Sequence, residues 1–175
     1  FLQDEGEHEA ALADFEAALA LEPEVTSYHY RRGLSLAALE RPREAIAAFD
    51  KALRLEPAVV QVWLERGRAF EALGHAGPAL ASYERALRLD ARHEASLSRR
   101  AFLLQRTGRV EEAITAYDRL LAAVPQAAFG LNNRAGLLAG LGRREEALRD
   151  LDRAIALVPG DSNALRNRAQ LLLQL

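Results

Sequence analysis

The stretch WLERGRAFEALG, residues 63–74, decides the fold because it combines a helical pattern with two residues that sit poorly inside a helix. Trp63 and Phe70 recur at the spacing of one helix face. Arg66 and Gly67 lie between them, although glycine within a helix costs roughly 1 kcal/mol relative to alanine. This Arg-Gly pair therefore needs an explanation beyond the single helix.

The explanation begins with a repeat, because an arginine followed by glycine or alanine returns every 34 residues. These arginines are Arg32, Arg66, Arg100, Arg134 and Arg168. An alanine keeps the same period, at Ala11, Ala45, Ala79, Ala113 and Ala147, and an aromatic ring or leucine follows it four residues later. A fixed period of this length indicates stacked structural units.

The pattern resembles the tetratricopeptide repeat family, whose units carry W-x2-L-G-x2-Y followed by alanine, an aromatic residue and proline. The clearest copy is VQVWLERGRAFEALGHAGPALASYERALRLDA, residues 60–91. With Trp63 as position 4 of its repeat, complete repeats span 26–59, 60–93, 94–127 and 128–161, and partial repeats span 1–25 and 162–175. The resemblance implies an all-α fold, a right-handed superhelical α-solenoid of antiparallel helices A and B, forming one array over residues 1–175.

Individual positions then acquire expected roles. Position 8 is glycine or alanine so that helix B can approach, and glycine at position 15 is suited to ending helix A in the left-handed conformation. Glu40 is the exception at position 15. His29 takes the place of the tryptophan and is expected to pack. Leu120 replaces an alanine at position 27, which predicts looser packing there.

Composition narrows the function classes. The formal net charge of −2 gives no field that would attract nucleic acid or an anionic membrane. The sequence has neither an apolar run of about 18 residues nor a signal-peptide pattern, so we expect no membrane insertion. The absence of cysteine fits a reducing compartment, which favours the cytoplasm. The composition, rich in alanine, leucine and arginine, is typical of bacterial proteins.

Both ends of the sequence fall inside a predicted helix A. Solenoids normally end in repeats with a polar outer face, and neither end shows one. We therefore interpret the chain as part of a longer protein and expect possible self-association through the uncapped ends.

No catalytic, metal or cofactor constellation emerges from the sequence. The four histidines, His8, His29, His75 and His93, lack metal-ligand spacing, and no serine stands in a nucleophile motif. The glycines near residues 74 and 142 mark turns and do not form a phosphate loop. We expect a segment without enzymatic activity.

The repeating arginine at position 7 has a repeating acidic counterpart at position 25. The acids are Glu16, Asp50, Glu84, Asp118 and Asp152. Pairing across repeats gives Glu16–Arg32, Asp50–Arg66, Glu84–Arg100, Asp118–Arg134 and Asp152–Arg168. Pairing within a repeat, beginning with Arg32–Asp50, is the competing geometry, and solvated surface charge is the third reading. In the cross-repeat reading these arginines are structural and hold neighbouring repeats together.

The resemblance also implies a binding surface, since the A helices of this family line a concave groove. Carried over to this sequence, the groove residues are Tyr30, Arg31, Leu34, Leu64, Arg68, Arg99, Phe102, Arg106, Phe129, Asn132, Asn133, Asn163, Arg166 and Asn167. Large apolar side chains among arginines and asparagines indicate an interaction surface, although some of them could pack between helices instead. The family's lysine–asparagine–arginine clamp for terminal carboxylates is not supplied, and Asn133 and Asn167 give only two rungs of an asparagine ladder.

Two functions of different classes remain open. The first is a scaffold that docks a partner peptide carrying acidic residues and a large apolar anchor, with Arg68, Arg99 and Arg106 converging near Phe102. The second is the substrate-recruiting arm of a larger enzyme, such as a glycosyltransferase fused to repeats.

Overall fold

The computed structural model describes residues 2–173, with side chains described from residue 6 onward, and every regular element among them is an α-helix. The chain divides into two compact units, residues 1–91 and residues 92–175. The expectation of one continuous array over residues 1–175 stays a prediction.

Unit 1 contains five helices in antiparallel succession. They are α1 (Leu2–Leu21), α2 (Thr26–Ala38), α3 (Pro42–Leu55), α4 (Val60–Ala72) and α5 (Ala76–Leu89). Each helix packs on the next, and α2 also contacts α4. The core around α3 buries Phe49, Ala45 and Ala52 completely.

Unit 2 repeats the arrangement. Its helices are α6 (Glu94–Arg106), α7 (Val110–Ala123), α8 (Ala128–Gly140), α9 (Arg144–Leu157) and α10 (Ser162–Leu172). Consecutive helices pack together, and α8 also contacts α10. Tyr117, Leu120, Leu131 and Leu151 are buried at its centre.

The 34-residue period reappears in the helix starts. The A helices begin at Thr26, Val60, Glu94, Ala128 and Ser162, and the B helices α3, α5, α7 and α9 begin at Pro42, Ala76, Val110 and Arg144. Pro42 is tolerated in the first turn of α3, because no backbone donor is needed there.

The turn from helix A to helix B requires a positive φ at position 15. Gly74, Gly108 and Gly142 adopt φ of 74°, 72° and 75°, and Glu40 takes the same conformation with φ of 56°. A left-handed conformation is unfavourable for a residue with a side chain, so Glu40 is a strained member of the series.

Small residues at position 8 of helix A leave space for the aromatic ring at position 24 of helix B. A Cβ placed on Gly33 would lie 2.7 Å from Cδ1 of Phe49, and one on Gly67 would lie 2.8 Å from Cδ1 of Tyr83. Unit 2 carries Ala101 at the same position. The glycine of the Arg-Gly pair in α4 therefore makes room for a ring on the following helix.

His29 is buried in the tryptophan position, as its place in the repeat predicts. Its Nε2 lies 2.8 Å from the carbonyl oxygen of Pro23, and Nε1 of Trp63 donates to the carbonyl oxygen of Pro57 at 2.9 Å. Both rings thus fix the turn that precedes their helix. This shared bond explains how histidine substitutes for tryptophan.

The looser packing expected at Leu120 stays a prediction. Leu120 is fully buried in α7, and a Cβ on Gly130 of α8 would lie only 3.0 Å from its Cδ2. The missing side chain at Gly130 provides the volume that the larger Leu120 side chain occupies. Leu120 is therefore packed directly against α8.

Candidate interaction site

The position-7 arginines lie against acids of the preceding helix. Arg32 is 3.2 Å from Glu16, Arg66 is 2.6 Å from Asp50, Arg134 is 2.6 Å from Asp118 and Arg168 is 2.7 Å from Asp152. Each of these pairs joins a helix A to the helix B of the repeat before it. The Glu84–Arg100 pair would link residues of different units and stays a prediction.

Sequence reasoning missed a second partner of these arginines, at position 23. Arg134 also donates from Nε and Nη2 to the two carboxylate oxygens of Asp150, both at 2.7 Å, and Arg66 donates to Oγ of Ser82 at 2.9 Å. Asp150 is only 4% exposed, and hydrogen bonding to it raises the pKa of Arg134 above its ordinary value. The available signal was the polar residue at position 23, which is alanine in the repeats 26–59 and 94–127.

In unit 1 the A-helix face forms a cleft between α2 and α4, which we call the α2–α4 cleft. Its volume is about 630 Å³, and the predicted residues Leu34 and Arg68 both line it. The remaining lining is mostly small, consisting of Ala37, Ala38, Glu40, Pro42, Glu65, Ala69 and Ala72. Alanines on both walls leave space for a large apolar side chain of a ligand.

Charges at the edge of this cleft are already paired. Nη1 of Arg68 lies 3.2 Å from both carboxylate oxygens of Glu65, one helical turn away. Glu65 is half-buried, whereas Arg68 is exposed. A ligand carboxylate would therefore compete with Glu65 for Arg68.

Tyr30 lies partly in the core rather than wholly on the surface. It packs against the buried cluster of unit 1, with its ring centroid 6.2 Å from that of Phe49. Burial raises the pKa of Tyr30, and the nearby Glu65 carboxylate raises it further. The ring also borders a second cleft of about 450 Å³ with Val59 and Val62.

The expected exposure of Leu64 is wrong. Leu64 is 5% exposed and belongs to the interior, whereas its neighbour on the predicted face, Arg31, is exposed. The physical reason is that A helices also pack on their neighbours, as the contact of α2 with α4 shows. Some side chains on the predicted face therefore serve helix packing.

In unit 2 the A-helix face exposes two aromatic rings. Phe102 of α6 is 42% exposed and Phe129 of α8 is 44% exposed. The guanidinium carbon of Arg106 lies 5.9 Å from the Phe102 ring centroid, which is a cation–π distance. Arg99 is half-buried on the same helix. The structure thus brings Arg106 and Phe102 together on α6.

The asparagines of the A-helix face contact one another and neighbouring side chains. Nδ2 of Asn167 donates to Oδ1 of Asn132 at 2.9 Å, and Arg166 donates to Oδ1 of Asn163 at 2.8 Å. The side chain of Asn133 lies near that of Tyr117 and opposes the rise that burial causes in its pKa. A side-chain amide carries two donors and two acceptor sites, so capacity for a peptide backbone remains.

Tyrosine hydroxyls from the B helices reach this face, which the sequence did not indicate. The hydroxyl of Tyr117 donates to Oε1 of Gln105 at 2.7 Å, and that of Tyr83 donates to Oε1 of Glu71. Burial raises the pKa of Tyr117, and the nearby Asn133 side chain partly opposes this effect. The aromatic ring of the position-24 tyrosine is therefore buried in the core, while its hydroxyl group forms a polar contact with helix A.

The part of the chain that the structure describes contains neither a metal-binding cluster nor a membrane-spanning helix. Among the side chains of residues 6–173, no cluster of three or more histidine, aspartate or glutamate residues is arranged to hold a metal ion. No helix within that range has both the length and the apolar character required to cross a bilayer.

Paired helices with a 34-residue period and a concave cleft between neighbouring A helices define a helical-repeat protein. The tetratricopeptide repeat model matches residues 2–60, 30–94, 64–128 and 132–175. The chain belongs to the tetratricopeptide repeat family. No significant match is found among curated protein sequences.

Solved structures agree with this family assignment. The structure of MamA superposes with a TM-score of 0.83 at 18% identity, covering 89% of this chain and 91% of that one. YrrB, described as a repeat protein of this family with an unusual peptide-binding site, gives a TM-score of 0.79 at 27% identity, covering 96% and 87%. A tetratricopeptide repeat protein from Parabacteroides merdae gives a TM-score of 0.81 at 21% identity, covering 97% and 68%. The fold class is an all-α solenoid of helix pairs.

Proposed function

We propose that this chain is a non-catalytic interaction scaffold that binds a peptide segment of a partner protein on its A-helix face. The observation that carries this proposal is the α2–α4 cleft of about 630 Å³, with alanines on both walls. A cleft of this size accepts one large apolar side chain, and such an anchor supplies most of the binding energy in many peptide complexes. The similarity to YrrB, a protein of this family with a peptide-binding site, supports the same function.

In each unit, the A-helix face carries arginines that favour acidic residues in a ligand. Arg68 borders the α2–α4 cleft, while Arg99 and Arg106 lie on the A-helix face of unit 2. An arginine fork pairs well with a carboxylate, and the exposed Phe102 ring offers a further apolar contact. The proposed ligand is therefore a peptide with acidic residues and at least one large apolar side chain.

The first experiment fills the α2–α4 cleft. A displayed library of random peptides is selected on the chain, and the best peptide is titrated by calorimetry against Ala72→Trp and Ala47→Trp. Ala72 lines the cleft on α4, whereas Ala47 is also exposed but lies on α3 outside the cleft. We expect at least about a tenfold loss of affinity for Ala72→Trp, corresponding to about 1.4 kcal/mol, and none for Ala47→Trp. Equal affinities for both variants would contradict the proposal.

The second experiment tests the charge preference. The Arg68→Glu variant should bind the selected peptide more weakly, and rising salt should weaken wild-type binding more than variant binding. Arg68 is exposed on α4, so the helix itself is retained. Equal affinity of both proteins at two salt concentrations would show that Arg68 takes no part.

A further inference from the structure

A further cleft lies in unit 2, bounded by α7, α8 and α9, and we call it the α7–α9 cleft. Its volume is about 560 Å³, and its lining mixes apolar and charged side chains. Ile114 and Leu138 contribute nearly buried apolar surface, and Leu141 is 45% exposed at the rim. None of these residues belongs to the A-helix surface assigned above.

The charges of this cleft separate into paired and unpaired groups. Arg134 is bound by Asp118 and Asp150, and Arg143 donates to both carboxylate oxygens of Glu146 at 2.6 and 2.7 Å. These side chains are therefore satisfied within the protein.

Unlike Arg134 and Arg143, the cleft residues Arg149 and Arg153 have no carboxylate partner among the described side chains. Both line the cleft, both are exposed, and neither forms an ion pair with any side chain of residues 6–173. They stand four residues apart on α9, so they share one face of that helix. On the same helix, Glu146 precedes Arg149 by three residues, and each of its carboxylate oxygens already accepts a hydrogen bond from Arg143. The α9 wall thus presents two available guanidinium groups above an apolar floor.

The sequence of α9 at this cleft differs from that of the equivalent helices in the other repeats. Positions 22 and 23 are Ala47–Ala48, Ala81–Ser82 and Thr115–Ala116 in the other complete repeats, but Arg149–Asp150 here. Asp150 turns inward to Arg134, while Arg149 stays at the cleft. On the opposite wall, the small Thr115 leaves the cleft open, and its hydroxyl is occupied by the carbonyl oxygen of Glu111 at 3.0 Å.

We infer that the α7–α9 cleft is a second docking site, for a protein segment in which an acidic side chain stands beside a large apolar one. The carboxylate would bind Arg149 and Arg153, and the apolar side chain would cover Ile114, Leu138 and Leu141. The carboxylate of Glu111, on the α7 wall, would accept a backbone N–H of the same segment. The inference is independent of the peptide proposed for the A-helix face.

The experiment uses the full chain and two matched probes, acetyl-Phe-Asp-amide and acetyl-Phe-Asn-amide, which differ only in carboxylate against amide. Binding is followed by NMR at the isoleucine δ1 methyl groups, of which the chain has three. Ile114 lines the cleft, while Ile46 and Ile155 serve as internal controls. We expect the aspartyl probe to shift Ile114 and the arginine Nε–H signals, and to bind at least about tenfold more tightly than the asparaginyl probe.

An Arg149→Gln, Arg153→Gln variant should lose this preference while keeping its unperturbed methyl spectrum. The Arg43→Gln, Arg54→Gln variant, altered at exposed positions of α3 outside both clefts, should respond like the wild type. Equal response to the two probes, no shift at Ile114, or a preference that survives in the Arg149→Gln, Arg153→Gln variant would overturn the inference.

Discussion

Leu120 of α7 and Gly130 of α8 share one packing volume, since a Cβ on Gly130 would lie 3.0 Å from Cδ2 of Leu120. Elsewhere in the repeat, position 27 is alanine and position 3 of the next repeat carries a side chain, as in the pair Ala52 and Val62. The two departures from the pattern therefore compensate each other. Packing at close to crystal density requires such compensation, because neither an added methyl group nor a void is tolerated freely.

This relationship predicts a favourable coupling between two substitutions. In the wild type, Gly130→Ala adds a methyl group against Leu120, whereas in a Leu120→Ala background the same methyl group enters the vacated space. We expect Gly130→Ala to be more favourable by about 1 kcal/mol in the Leu120→Ala background. Urea unfolding of the four proteins in the double-mutant cycle measures the coupling. Additive effects would show that the residues do not share this volume.

Glu40 predicts a stabilising substitution. Its φ of 56° matches the glycines at the same position of the other complete repeats. Glu40→Gly should raise the free energy of unfolding by about 1 kcal/mol, because glycine adopts this conformation without steric cost. Gly74→Ala is the matched control and should lower it by a similar amount. If Glu40→Gly is neutral or destabilising in chemical unfolding, the strain assigned to Glu40 is absent.

The Arg134–Asp150 pair predicts a large difference between two aspartates. Asp150 is 4% exposed, whereas Asp152, which pairs with Arg168, has an exposed side chain. Asp150→Asn should cost roughly 3 kcal/mol because it leaves a desolvated guanidinium poorly paired, while Asp152→Asn should cost about 0–1 kcal/mol. Thermal and urea unfolding provide both values. Equal costs would mean that burial of Asp150 does not strengthen the pair.

Three arginine–glutamate pairs at the starts of B helices predict an acid-dependent stability. Hydrogen bonds from Arg41, Arg109 and Arg143 lower the pKa values of Glu44, Glu112 and Glu146, respectively. A lowered folded-state pKa contributes stability above the unfolded value of 4.5, and this contribution is lost as the pH falls through the folded-state pKa.

The test is the melting temperature as a function of pH. A variant with all three glutamates changed to glutamine should show a shallower fall below pH 4.5 than the wild type. A control variant changes Glu22, Glu56 and Glu94, which are exposed and form no ion pair among residues 6–173. Identical profiles for the two triple variants would contradict the assigned shifts.

The repeat period predicted the fold because each helix start depends on local residues. Pro42 and the position-15 glycines act within one turn, so their spacing reveals the helix pairs directly. The cross-repeat distances of Arg66–Asp50 and Arg134–Asp118 also follow from position alone, because every repeat places these two residues on facing helices.

Other features depend on packing between helices, and the repeat pattern of the sequence did not predict them. Leu64 lies on the predicted face but is buried, because A helices contact each other as well as a ligand. The pairing of Asp150 with Arg134 depends on the orientation of the Asp150 side chain, which only the structure gives. The alanine-lined α2–α4 cleft likewise arises from the space between two helices, which no single repeat encodes.

The central claim is that the A-helix face of unit 1 receives the apolar anchor of a peptide. The most direct measurement places a photoreactive benzoylphenylalanine at the anchor of the selected peptide and maps the crosslinks by mass spectrometry. The account predicts adducts within α2 and α4, residues 26–38 and 60–72, and their loss in Ala72→Trp. Adducts concentrated on α3 or α5, and unchanged in Ala72→Trp, would contradict it.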